Sequence, residues 1–120
     1  MTAFFRGDES VLDALSRADR VHASVVVIGE LEAGFRGGTR YPQNLSILNR
    51  FLSKPTVDVA EITRETSECF GRIKTALKSK GKPIPINDVW IAAQCFELGA
   101  VLVTHDEHFL HVDGLRILGR

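Results

Sequence analysis

PIPINDVWIAAQCFELGAVLVT, residues 83–104, joins a buried helix to a buried strand through a single glycine. From Val89 to Leu98 the segment is apolar nearly all round, the pattern of a helix packed on several sides. Gly99 stops that helix, and AVLVT (100–104) is β-rich. Upstream, the rigid KPIP stretch (82–85) cannot sit inside a helix and delivers the chain to Asn87 and Asp88 at the helix mouth.

The same alternation runs outward in both directions. HDEHFLHVDG (105–114) reads as a loop or short helix, and LRIL (115–118) as a last strand. Before Gly81, a helix capped by Thr63 carries the stripe Thr66, Cys69, Phe70, Ile73 and Leu77. TVDVA (56–60) is a short strand, and Pro55 ends a helix over 44–52 whose apolar face is Leu45, Leu48, Phe51 and Leu52. VHASVVVI (21–28) predicts a strand, because the VVVI run suits a strand covered on both faces. A helix then starts at about Gly29 and stops at Gly37-Gly38. Residues 9–18 predict a helix with Asp8 as its cap and Val11, Leu12, Leu15 and Ala18 on one face. Strands alternating with helices predict an α/β fold with a central parallel sheet flanked by helices.

At 120 residues the chain fits a single domain over 1–120. With 44% hydrophobic and 25% charged residues it is neither a disordered tail nor a fibrous repeat. No apolar run approaches the roughly 20 residues that span a bilayer. MTAFFRGDES meets Arg6 and Asp8 too early for a secretory signal. Cys69 and Cys95 cannot build a disulfide framework, so a reducing, cytoplasmic setting is expected. Fifteen basic and fifteen acidic side chains cancel, so any nucleic-acid partner must be met by a local site.

Three carboxylates fall where a parallel sheet places its ligands, just beyond the carboxyl ends of the strands. Glu30 follows VVVI, Asp106 follows VLVT, and Asp88 opens the apolar helix. Carboxylates crowded at the rim of a core repel one another and lose hydration. A hard divalent cation such as Mg²⁺ or Mn²⁺ relieves that conflict. The alternative gives each a local role: Asp88 a helix cap, Glu30 a first-turn partner of the helix dipole, Asp106 a turn residue.

VVVIGELEAGF, PIPINDVWIAA and VLVTHDEHF together resemble PIN-domain proteins, in particular the VapC-type toxins of bacterial toxin–antitoxin pairs. The resemblance runs in order from FFRGDES to GLRIL. It implies a Rossmann-like fold and a Mg²⁺- or Mn²⁺-dependent endoribonuclease with four acidic residues around the metal. By motif, Glu30, Asp88 and Asp106 match three of those acids, and Thr104 matches a threonine that supports the site through its hydroxyl. The family opens with a central strand ending in an aspartate. This chain begins at MTAFF, so that strand and its acid are expected to be missing, which would leave two strands with unpaired edges. Asp8 matches the helix-capping position and does not replace that acid. The resemblance further implies an RNA substrate, an antitoxin protein that silences the site, and a homodimer. A catalytically impaired PIN module acting through protein contacts is the alternative.

The remaining features admit blander roles. His105, His108 and His111 recur every three residues, a spacing that invites zinc but equally suits solvated loop histidines. Cys69, Cys95 and Trp90 lie on apolar helix faces and read as packing residues. Arg64, Arg72, Lys74, Lys78, Lys80 and Lys82 form a basic stretch that is either a solvated face or a contact for RNA phosphates, and Arg36 and Arg40 could approach the same substrate.

Overall fold

The computed structural model describes residues 1–5 and 18–119. Among them, five strands form one parallel sheet: β1 (Thr2–Phe5), β2 (Arg20–Ser24), β3 (Val57–Ala60), β4 (Val101–Val103) and β5 (Ile117–Leu118). Their order is β3-β2-β1-β4-β5. Helices α1 (Val25–Arg36), α2 (Tyr41–Leu52), α3 (Arg64–Ser79) and α4 (Ile86–Leu98) flank it, with a 3₁₀ helix over Glu107–His111. This is the α/β architecture the alternation predicts. The helix expected over 9–18, with its Asp8 cap, lies outside the described residues apart from Ala18.

The gap expected in the middle of the sheet is filled. Thr2–Phe5 pairs with β2 on one side and β4 on the other, placing Phe4 beside both His22 and Leu102. A strand covered on both faces needs apolar side chains pointing each way, and this segment supplies them. Ala3 is fully buried with Val21, Ala23, Val57 and Val103 on one face, where Phe51 and Leu52 of α2 cover it. Phe4 is fully buried on the other face with Leu102, Ile91, Ile73 and Leu77, beneath α3 and α4. Reading these residues only as the start of the FFRGDES match concealed that they alternate as a strand. The expectation of unpaired edges on β2 and β4 is therefore corrected.

A second correction concerns VHASVVVI. The strand stops at Ser24 and Val25 begins a helix. Ser24 decides this: its buried hydroxyl accepts the Val26 N–H at 3.0 Å, a helix N-cap that outweighs the β preference of three valines. Glu30 consequently stands on the second turn of α1 rather than directly after a strand. The other boundaries agree with the sequence to within a few residues. Thr63 forms a capping box with Thr66 at the start of α3, and Gly99 ends α4 at φ 62°, a left-handed conformation that favours glycine.

One buried polar network ties these pieces together. The Ser24 hydroxyl donates to Gln94 Oε1, and Gln94 Nε2 donates to the Ala60 carbonyl at 2.9 Å. Gln94 thus joins α4 to the start of α1 and the end of β3, and both Ser24 and Gln94 are fully buried. Gln94→Leu keeps the volume but takes the acceptor from the buried Ser24 hydroxyl proton and the amide donor from the Ala60 carbonyl. It should lower stability by about 1–3 kcal/mol in urea unfolding; an unchanged midpoint would show that the network is not needed.

Candidate metal centre

All five strands run the same way, so their carboxyl ends share one edge of the sheet. The chain turns to opposite sides of β1, towards β2 and β3 first and then towards β4 and β5. The crevice between β1 and β4 is therefore the place where such a sheet accepts a ligand.

Asp106 lies three residues past the end of β4, held by two local hydrogen bonds. Thr104, 1% exposed, accepts the Asp106 N–H on its hydroxyl at 3.0 Å. Asp106 Oδ1 in turn accepts the His108 N–H at 2.9 Å, capping the 3₁₀ helix. Asp106 is thus a turn residue, as the local alternative has it, with its carboxyl facing a second acid.

That acid is Asp88, on the first turn of α4. It is not the helix cap, since Pro85 occupies that position and the Asp88 N–H already bonds to the Pro85 carbonyl at 3.0 Å. The local role proposed for Asp88 from sequence does not hold. Its side chain is only 4% exposed, an unusual place for a carboxylate unless other groups meet its charge.

His108 is one of those groups. Its Nδ1 lies 3.4 Å from Asp88 Oδ2 and 3.1 Å from Asp106 Oδ1. One donor atom from each of Asp88, Asp106 and His108 falls within 4.8 Å of the others. Glu30 stands beside this group rather than in it. Its Oε2 accepts from Asn87 Nδ2 at 3.5 Å, one residue away from Asp88.

His108 and Asn87 were not singled out from sequence as site residues. The signal for His108 was present in the H-D-E-H run, but equal spacing gave three histidines the same weight. The strand end and the Asp106 cap select one of them; His105 is exposed and His111 half-buried, and neither joins the cluster. The packing roles read for other residues agree with the structure. Trp90 stacks on Phe70 with ring centroids 3.9 Å apart. Cys95 is buried, and desolvation pushes its thiol far up, so it is a neutral packing group. Lys80 binds the His111 carbonyl at 2.7 Å and Asp113 at 3.0 Å, which gives that member of the basic stretch a structural task.

Residues 2–115 match the PIN domain family. The chain belongs to that family. Ribonuclease VapC1 of Haemophilus influenzae (strain R2866) is 32% identical over 88 residues, covering 73% of this chain and 64% of the relative, so the match spans just under two thirds of that protein. Ribonuclease VapC2 of Haemophilus influenzae (strain ATCC 51907 / DSM 11121 / KW20 / Rd) is 31% identical over 110 residues, 88% of this chain and 82% of the relative. The same fold appears in the crystal structure of VapBC2 from Rickettsia felis bound to a DNA fragment from their promoter. There the TM-score is 0.83 at 24% identity, over 98% of each chain.

Thr104 gives the centre a simple test. Thr104→Val is nearly isosteric and removes the acceptor of the Asp106 N–H. It should cost about 1–2 kcal/mol in thermal or urea unfolding, with Thr104→Ser costing clearly less. Equal losses for the two variants would assign the effect to packing and not to the hydroxyl.

Proposed function

We propose that this chain is an endoribonuclease toxin of the VapC type, dependent on Mg²⁺ or Mn²⁺ and silenced by an antitoxin protein. The observation that carries this reading is the meeting of Asp88 and Asp106 at the carboxyl edge of the parallel sheet. The relatives named ribonuclease VapC support it, as does the VapBC fold. The donor set fits a hard cation: two carboxylates from different elements, one nearly buried, with a third carboxylate, Glu30, beside them.

Asp88 and Asp106 would hold the ion, with Glu30 contributing directly or through water. When bound, such an ion supplies Lewis acidity at a phosphate oxygen and lowers the pKa of a bound water. The protein's own part is orientation. Thr104 fixes the backbone of Asp106, the first turn of α4 fixes Asp88, and Asn87 holds Glu30 on the same side. From there the Glu30 carboxylate can orient the attacking water and accept its proton. Direct attack by water would require no serine or cysteine nucleophile and so no covalent enzyme intermediate.

The substrate would approach over basic side chains of α3 and the following loop, where Lys74, Lys78 and Lys82 are exposed. Ile47 on α2 is 57% exposed, an apolar surface suited to a second copy or an antitoxin. Among the described residues no helix is long and apolar enough to cross a membrane, and action on RNA in the cytoplasm belongs to the same proposal. A catalytically impaired module that acts only through protein contacts is the second reading; it draws on the position of Glu30 outside the tight cluster.

Asp88→Asn separates the two readings. It keeps the shape of the residue and removes a charge from a crowded acidic site, so metal-free stability should hold or rise. Cleavage of a structured RNA with Mg²⁺ or Mn²⁺ should fall about a hundredfold or more, the scale expected when a reacting group loses its position. If the parent protein, purified away from any antitoxin, cuts no faster than Asp88→Asn, the impaired-module reading stands instead.

A further inference from the structure

An all-carboxylate site does not call for a nitrogen donor, yet His108 Nδ1 lies within 3.4 Å of a carboxylate oxygen of each acid. We infer that His108 is a metal ligand through Nδ1, and that it turns the centre into a mixed nitrogen–oxygen site favouring first-row transition ions over Mg²⁺. This rests on the assignment of Asp88 and Asp106 as ligands.

The spacing carries the inference. Neighbouring donors on an octahedral ion with bonds of about 2.1 Å lie roughly 3 Å apart. Nδ1 is 3.1 Å from Asp106 Oδ1 and 3.4 Å from Asp88 Oδ2, both close to that separation, and all three donors lie within 4.8 Å of one another. The backbone that carries the ring is also held. The His108 N–H bonds to Asp106 Oδ1 at 2.9 Å, and the next residue, Phe109, is fully buried and anchors the 3₁₀ helix to the core. At 52% exposure the side chain opens to solvent, from which an ion would enter.

The chemistry gives a direction. Mg²⁺ prefers oxygen and gives up its water reluctantly, whereas imidazole is a good ligand for transition-metal ions. Mn²⁺ serves as the probe because it is paramagnetic and reports directly bound ¹⁴N in electron spin-echo spectra. The parent protein loaded with Mn²⁺ should show ¹⁴N modulation that His108→Ala removes and His105→Ala leaves intact. Calorimetry should show Mn²⁺ affinity falling about tenfold in His108→Ala, the lower end for disturbing a metal's ligand environment. In His108→Asp, which replaces nitrogen with oxygen, the ratio of Mn²⁺ to Mg²⁺ affinity should fall by a similar factor. Thermal melts of each variant check that the fold is kept.

Mn²⁺ bound without ¹⁴N modulation, or modulation that survives His108→Ala, would overturn the assignment of His108 and leave the carboxylate site standing. Mn²⁺ affinity unchanged in Asp88→Asn is a different failure, and would remove the metal-centre reading itself.

Discussion

The parallel pairing of Thr2–Phe5 between β2 and β4 is the constraint on which the other elements depend. Among the described residues this short strand alone pairs with both halves of the sheet, since β2 and β3 lie on one side and β4 and β5 on the other. It also divides the core. Ala3 contributes to the layer under α2 and Phe4 to the layer under α3 and α4, so each layer crosses β1 from one half of the sheet to the other. The small side chain on one face and the large one on the other match what covers them. The crevice beside Asp106 exists because the chain reverses its direction of travel around this strand.

From that frame the site follows by local chemistry. β4 brings the chain to Thr104 and Asp106, while α4 presents Asp88 from beside the same edge. Neither aspartate needs a long-range contact to fix its backbone: Asp106 is held by its own turn, and Asp88 by the first turn of its helix. What the tertiary fold adds is proximity. Two like charges are brought together with one almost wholly out of water, an arrangement that makes a cation favourable there.

Much of the architecture was legible in the residues. Local signals located α3, α4 and β4 closely, because Thr63 caps through a hydroxyl three residues from its partner and Gly81, Pro85 and Gly99 act through their own backbone geometry. The two misread segments, MTAFF and VVVI, have the opposite character. Each is a short apolar run whose state is set by its neighbours: β1 by the strands on either side, α1 by a serine hydroxyl that caps it. For the site, Asp106 was visible as an acid after a strand and Asp88 as an acid at the mouth of the apolar helix. The place of His108 was not, because three evenly spaced histidines carry the same signal until a turn chooses among them.

Gln94 gives the chain an unusual dependence between distant positions. Its single amide satisfies a hydroxyl at the start of α1 and a carbonyl at the end of β3, while its backbone belongs to the helix that carries Asp88. A change at Ser24 alone strands the Val26 N–H and Gln94 Oε1, a change at Gln94 alone strands the Ser24 hydroxyl proton and the Ala60 carbonyl, and replacing both strands no more groups than either single change. Mutational drift here is therefore channelled. Positions 24 and 94, seventy residues apart in the chain, are freer to change as a pair than singly, and the spacing between the helices bearing Glu30 and Asp88 is inherited along with them.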